Sequence, residues 1–167
     1  MKTITLTGMM GSGKSTVAKE LSKKLNCELV EIDSHIEERE KLTICEIFAK
    51  YGEDYFRNLE TQTILTLTKP ENQIIALGGG AFENEGTRDF LLENTLVIYL
   101  KTTSDTIFER IKNDTSRPLL NNKMSTEKIE EIINKRKNNY EKATITITTD
   151  NKTIKDIITE IMGVLSL

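Results

Sequence analysis

The sequence predicts a doubly wound α/β fold, with helices covering both faces of a parallel sheet, and three observations carry that expectation. Short apolar runs of strand length alternate with amphipathic helical stretches along nearly the whole chain. The first strand and the first helix are joined by Gly8-Met-Met-Gly-Ser-Gly-Lys-Ser-Thr16, a full match to G-x-x-x-x-G-K-[ST]. At 167 residues the chain suits one well-filled core rather than two.

Thr3 to Thr7, with apolar Ile4 and Leu6, reads as the first strand, and Val17, Ala18, Leu21 and Leu25 mark one face of the helix after the loop. Leu29 and Val30 restart a short strand ending at Glu31-Ile-Asp33, which makes a βαβ unit and hence a parallel pair. Ser34 with Glu37, and Thr43 with Glu46, each fit the capping box S/T-x-x-E and predict two short helices in succession. A third helix is predicted from about Asp54 to Leu67, and this helical insertion offers a place for a substrate region. Gln73 to Leu77 reads as a buried strand running into Gly78-Gly-Gly80, and Thr95 to Leu100 as another before a helix around Thr106 to Lys112. Asn113 to Lys123 is polar, contains a proline and lacks a helical period, so an exposed mobile loop is predicted there. Ser125 to Lys142 is predicted as a long helix, Thr144 to Thr148 as the last strand, and Thr153 to Leu165 as a closing amphipathic helix.

Composition narrows the classes of function. With 29% charged and 37% hydrophobic residues and a net charge of −3, the chain is an ordinary globule for which nucleic acid is a poor partner. Cys27 and Cys45 form neither a C-x-x-C pair nor a metal spacing, which predicts two inert thiols in a reducing compartment and no zinc site. No apolar leader and no apolar run of about 18 residues occurs, so neither secretion nor a membrane partner is predicted and the cytoplasm is the expected location.

The glycine-rich loop carries the first chemistry. Backbone N–H groups between Gly8 and Gly13 can wrap a phosphate chain, Lys14 can reach its β- and γ-phosphates, and Ser15 can hold Mg²⁺. The helix starting near Lys14 adds its positive end to the same anion site. Ligands of such sheets bind beyond the carboxyl ends of the strands, which gives weight to polar residues there. Glu31 and Asp33, two apart at the end of the second strand, would share one side, one carboxylate near the metal and the other near an acceptor hydroxyl whose proton it takes. Gly78 to Gly80 would offer bare N–H groups to an anion, or simply make a tight turn. Arg57 and Glu60 lie three apart on a predicted helix, where the acid can orient the guanidinium, though most such pairs are surface contacts. Arg136 falls on the apolar stripe of Ile129, Ile132, Ile133 and Tyr140, and a charge there must be paired or bind something. Arg117 lies in the predicted loop, where it either closes over transferring phosphates or stays on the surface; Arg110 either stacks on a base or ends its helix. His35, the single histidine, reads as a surface residue.

Together these residues resemble the shikimate kinase family, and the match runs almost end to end. It is carried by G-M-M-G-S-G-K-S-T, Glu31-Ile-Asp33 followed by Ile36-Glu37, Glu46-Ile-Phe, Gly52-Glu-Asp-Tyr-Phe-Arg-Asn-Leu-Glu60, Gly78-Gly-Gly80, Arg117-Pro-Leu-Leu120, and Arg136 four before Tyr140. The resemblance implies a three-layer P-loop kinase fold of the nucleoside-monophosphate-kinase type, a five-stranded parallel sheet in the order 2-3-1-4-5 flanked by helices. It implies one domain over 1–167, with a small acceptor-binding region at about 33–61 and a lid at about 112–124. The implied reaction is ATP-Mg²⁺ phosphorylation of the shikimate 3-hydroxyl, on the route to chorismate and the aromatic amino acids, by a monomer. Carried over, Gly11, Ser12, Gly13, Lys14, Ser15 and Thr16 meet the ATP phosphates, with Arg110 facing the adenine and Arg117 acting from the lid. Asp33, Lys14 and Arg117 would be catalytic; Asp33, Arg57, Gly79, Gly80 and Arg136 would bind shikimate; Ser15, and Glu31 through water, would hold the metal. The chain departs from the family at Glu31, where Asp is usual, at Lys41, where glycine is common, and at Leu77, where a smaller residue often stands. Two rivals share part of this pattern: another small-molecule kinase, for gluconate or a nucleoside monophosphate, and a nucleotide-binding regulatory module without turnover.

Overall fold

The computed structural model describes residues 1–112 and 124–166. Five strands, β1 (Ile4–Thr7), β2 (Glu28–Glu31), β3 (Gln73–Ala76), β4 (Leu96–Lys101) and β5 (Ile145–Thr148), form one sheet in the order β2-β3-β1-β4-β5. Every pairing is parallel, with Leu6 opposite Ala76 on one side and Ile98 on the other. The strands' period of two sorts their side chains between two apolar layers. Ile4, Leu6, Ile74, Ala76, Ile98 and Leu100 pack under α1 (Lys14–Leu25) and against Ile157, Ile158 and Ile161 near the C-terminus. Val30, Ile75, Leu77, Val97 and Tyr99 face the opposite layer.

That opposite layer begins with α2 (Ile32–Glu40), α3 (Ile44–Tyr51) and α4 (Glu53–Leu67). The predicted box at Thr43 and Glu46 is formed on both sides and starts α3. The one at Ser34 is not: α2 starts at Ile32 with Glu31 as its N-cap, so Ser34 lies inside the helix and Glu37 instead accepts from Ile44 N at 2.9 Å. Glu37 thereby caps the next helix, a role set by the packing of α2 on α3. Gly52, with φ 83° and ψ 171°, ends α3 and admits α4 in one residue, a backbone state that other residues avoid.

After β3 come a 3-10 turn (Ala81–Glu83) and α5 (Glu85–Asn94), neither of which the sequence reading anticipated. The signal was an N-cap asparagine: Asn84 accepts from Thr87 N at 2.9 Å. Gly86 in the first turn and an apolar patch limited to Phe90, Leu91 and Leu92 left no clear helical period. The remaining helices, α6 (Ser104–Ile111), α7 (Thr126–Tyr140) and α8 (Ile154–Val164), fall within two residues of their predicted ends. A third, small cluster of Met9, Ile107, Ile111 and Ile129 seats the loop after β1 against α6 and α7. Among the described residues no helix is long and apolar enough to cross a membrane.

Candidate active site

β1 and β3 are neighbours, so their carboxyl ends deliver Gly8–Gly13 and Gly78–Gly80 side by side. The first of these loops is held by backbone states that L side chains resist, with φ of 74° at Gly11 and 94° at Gly13. A Cβ on Gly11 would also stand 2.8 Å from Ile111 Cγ2. Gly13 is the N-cap of α1 and has no side chain to offer, so the first-turn N–H groups of that helix face outward for an anion. Lys14 is only 8% exposed, and its Nζ donates to Gly8 O at 2.8 Å and Met9 O at 2.9 Å. Ser15 and Thr16 follow on the exposed side of the turn. Arg110, in the last turn of α6, donates from Nη1 to Gly11 O at 3.2 Å. Lys14, Ser15, Thr16, Asp33, Gly78 and Arg110 all line one cavity of about 180 Å³.

A second cavity of about 340 Å³ opens on the other side of the triple-glycine turn and is lined by Arg57, Glu60, Gly80, Glu83 and Arg136. The glycines are required here by close approach. A Cβ on Gly78 would lie 2.6 Å from Glu60 Oε1 and 2.8 Å from Asp33 Oδ1, and one on Gly80 would lie 2.6 Å from Arg57 Nη2. Two carboxylates and a guanidinium thus press on bare backbone. Glu60 is 2% exposed and accepts from Arg57 Nη1 at 2.8 Å, while the Arg57 guanidinium also lies over the Phe56 ring at 5.2 Å. Arg136 donates from Nη1 to Gly79 O at 2.9 Å, and the Tyr140 hydroxyl donates to the same carbonyl at 2.6 Å.

Burial and the neighbouring charge of Asp33 outweigh Arg57 at Glu60, whose carboxyl is held above the ordinary range. At Arg57 burial opposes the charge, but Glu60 outweighs it and keeps the guanidinium firmly protonated. Burial also pushes the Tyr99 hydroxyl up to about 12; its ring stacks on Tyr140 at 4.9 Å, behind the glycine turn. Among the described residues Arg136 forms no ion pair within 4 Å; its guanidinium meets the Gly79 carbonyl, the neighbouring Tyr140 hydroxyl and, from Nη1, Met9 Sδ at 4.0 Å, and its charge is felt at Glu60.

The residues expected from sequence are therefore brought together in two adjoining groups: Gly11, Ser12, Gly13, Lys14, Ser15, Thr16 and Arg110 around the loop, whose cavity Gly79 also lines, and Arg57, Gly80 and Arg136 around the second cavity, with Arg136 reaching to Gly79 O. Asp33 stands between them, but not as a strand residue: β2 ends at Glu31, and Asp33 occupies the first turn of α2. The period-two argument that placed Glu31 and Asp33 on one side thus does not apply, and Glu31 lies at the helix N-cap outside the lining of either cavity. Arg117 and most of the expected lid lie outside the described residues. His35 is exposed, as expected. Three further residues were missed. Arg88 of α5 is 4% exposed and donates to Phe82 O and Glu83 O at 3.3 and 3.4 Å; Glu83 accepts from Asn139 Nδ2 at 3.1 Å. No local pattern marks Glu83 or Asn139, and Arg88 was hidden with its helix.

An anion-binding loop after the central strand of a 2-3-1-4-5 sheet, adjoined by a second polar cavity of small-molecule size, defines a P-loop kinase of small acceptors. The family model described as Shikimate kinase matches residues 10–166. A shikimate kinase of Sulfurihydrogenibium sp. strain YO3AOP1 is 43% identical over 97% of this chain and 96% of its own. The shikimate kinase of Acinetobacter baumannii, solved in complex with shikimate, superposes with a TM-score of 0.92 at 34% identity, over 99% of this chain and 94% of that one. That of Aquifex aeolicus gives 0.85 at 35% identity, over 98% and 96%. The chain belongs to the shikimate kinase family. Its reaction is transfer of the γ-phosphate of ATP to the 3-hydroxyl of shikimate, giving shikimate 3-phosphate and ADP for the synthesis of chorismate and the aromatic amino acids.

Proposed function

We propose that Asp33 takes the proton of the shikimate 3-hydroxyl, that Arg57 and Arg136 with the Gly79–Gly80 backbone hold the shikimate carboxylate and ring, and that residues 11–16 bind the ATP phosphates. The observation that carries this assignment is the shared turn: Gly78 borders the phosphate cavity, Gly80 borders the second cavity, and Asp33 stands against Gly78. A hydroxyl carried by an acceptor anchored at Arg57 and Arg136 would be presented toward the phosphate cavity, where a carboxylate is in place to accept its proton. Lys14 supplies positive charge to the transferring group, and Arg110 shields the outer side of the loop, in the position to stack on the adenine. Glu60 orients Arg57, keeping its planar fork ready for a carboxylate.

The donors fit Mg²⁺: the Ser15 hydroxyl, a hard oxygen ligand of the kind the ion takes, lines the cavity beside the anion loop. Ser15 would hold it, and Glu31 would reach it only through water. When bound, the ion neutralises phosphate charge as the phosphoryl group moves. Arg117, in the lid at about 112–124, belongs to the same reading as a group that meets developing phosphoryl charge. So do a single domain over 1–167 with its acceptor region at about 33–61, a monomer, since one chain lines both cavities, and a cytoplasmic location, with Cys27 and Cys45 unpaired.

The test is turnover of Asp33→Asn, which keeps shape and hydrogen bonding but not proton acceptance. The expected kcat is lower by on the order of 10²–10⁴-fold with little change in KM for ATP. A large rise in the ATP KM would instead make Asp33 a metal residue. An acceptor panel in the same ADP-release assay, with gluconate and a nucleoside monophosphate beside shikimate, should show turnover with shikimate alone.

A further inference from the structure

Three side chains at the end of α7 converge on one short segment, residues 79–83. Arg136 and Tyr140 both donate to Gly79 O, at 2.9 and 2.6 Å, and Asn139 donates from Nδ2 to Glu83 Oε2 at 3.1 Å. Residues three and four apart are neighbours on a helix surface, so this is one row of contacts. The other side of the same turn is gripped by α5, through Arg88 on the carbonyls of Phe82 and Glu83, and Glu83 N donates back to Gly80 O at 3.1 Å. Burying a guanidinium is unfavourable unless it has polar partners, and Arg88 has these two carbonyls and, from Nη2, the Glu85 carboxylate at 4.0 Å. Glu83 is therefore fixed through its backbone before its side chain meets Asn139.

The two halves of α7 are held differently. Its first half packs through Ile129, Ile132 and Ile133 in the apolar cluster with α6 and the phosphate loop. Its last turns depend on the stacked, buried Tyr140 and on this polar row. Arginine has many rotamers, and only a well-placed Cα and a fixed helix rotation keep its planar fork over one carbonyl. Within the row, Gly79 contributes backbone, and Glu83 contributes a carboxylate side chain to Asn139.

We infer that Glu83, through its bond to Asn139, is a positioning residue for Arg136, setting the rotation of α7 that holds the guanidinium over Gly79 at the acceptor cavity. The inference rests on the assignment of Arg136 to the shikimate carboxylate made above. Glu83 lines the same cavity as Arg136, so a direct contact between Glu83 and a shikimate hydroxyl is the competing explanation, and the test separates the two.

Shikimate binding is measured by titration calorimetry on Glu83→Ala, Glu83→Gln, Asn139→Ala, Arg136→Met and the Glu83→Ala/Arg136→Met pair, with KM for ATP and a thermal melt on each. Glu83→Ala and Asn139→Ala should each weaken shikimate binding on the order of tenfold while KM for ATP does not move, the loss expected when one ordering hydrogen bond goes. Glu83→Gln keeps an oxygen for Asn139 and should retain most of the affinity. In the Arg136→Met background, Glu83→Ala should add no further loss. An undiminished effect of Glu83→Ala in that background would mean direct contact with shikimate and would overturn the inference. So would unchanged affinity in Asn139→Ala, a variant that leaves Glu83 itself intact and keeps the question answerable should Glu83→Ala fail to fold. Wild-type affinity in Arg136→Met alone would remove the carboxylate assignment, and the inference with it; a loss there with none in Glu83→Ala and Asn139→Ala would remove the inference alone.

Discussion

Gly78 has no unusual backbone angle, yet it is among the least replaceable residues of the site. A methyl group there would stand 2.6 Å from Glu60 Oε1 and 2.8 Å from Asp33 Oδ1, closer than a Cβ is tolerated, and Glu60 is buried while Asp33 is half-buried. Glu60 cannot retreat without leaving Arg57, its 2.8 Å partner. Gly78→Ala should therefore displace two functional groups by a fraction of an ångström to an ångström. A drop in kcat/KM for shikimate on the order of a hundredfold is expected, with a smaller effect on ATP binding. Steady-state kinetics with each substrate varied in turn checks this, and a variant within twofold of wild type would show that the acids have room to give.

Two joints between elements carry predictions of opposite character. Lys41 closes α2 with φ 57° and ψ 28°, a left-handed state in which its Cβ is strained, at the position where the family commonly has glycine. Lys41→Gly should raise stability by about 0.5–1 kcal/mol after the greater freedom of glycine in the unfolded chain is deducted, read as a higher denaturant midpoint with an unaltered slope. Asp150, after β5, ties that strand end to the start of α6: its Oδ1 accepts from the Thr103 and Thr106 hydroxyls at 2.6 Å each and from Thr103 N at 3.1 Å. Burial raises this carboxyl, but the bonds from Thr103 and Thr106 outweigh it and hold it below its ordinary value of 3.8. A depressed acid adds stability above the unfolded value and loses it as pH falls through the folded one. Asp150→Asn should thus be less stable than wild type at pH 7, by about 1 kcal/mol, and the gap should close as pH drops below 3.8. A gap that stays constant down to pH 2 would mean the charge is immaterial.

At the scale of the whole molecule, the phosphate loop and the acceptor cavity rest on different packing. The loop lies on the small cluster of Met9, Ile107, Ile111 and Ile129, whereas the acceptor side is framed by α4, α5 and the end of α7, whose apolar residues belong to the larger layer around Phe56, Phe82 and Tyr140. Stabilisation by each substrate should then be separable. Shikimate or ATP-Mg²⁺ at about a hundred times its Kd should each raise unfolding free energy by about 2.7 kcal/mol. Lys14→Ala should lose most of the ATP increment and keep the shikimate increment, which thermal melts with each ligand alone would reveal. Equal loss of both would mean that the lysine organises the entire site.

What the sequence determined by itself was whatever contiguous residues encode. Gly8–Thr16 specifies its own loop, the short apolar runs specify where the five strands lie, and Thr43 with Glu46 specifies where a helix starts. Gly79, Gly80 and Arg136 were legible as candidates because a charge on an apolar stripe, or bare backbone at a strand end, is conspicuous without coordinates; Arg57 was legible only through its spacing to Glu60 and the family resemblance. Tertiary structure alone decided that Asp33 belongs to a helix turn rather than a strand, that Glu37 caps α3, and that Arg88, Glu83 and Asn139 frame the acceptor side. The reason is distance along the chain. Asn139 meets Glu83 across 56 positions and Arg136 meets Gly79 across 57, and such contacts arise only after the order of the strands has placed α5 and α7 on either side of one turn.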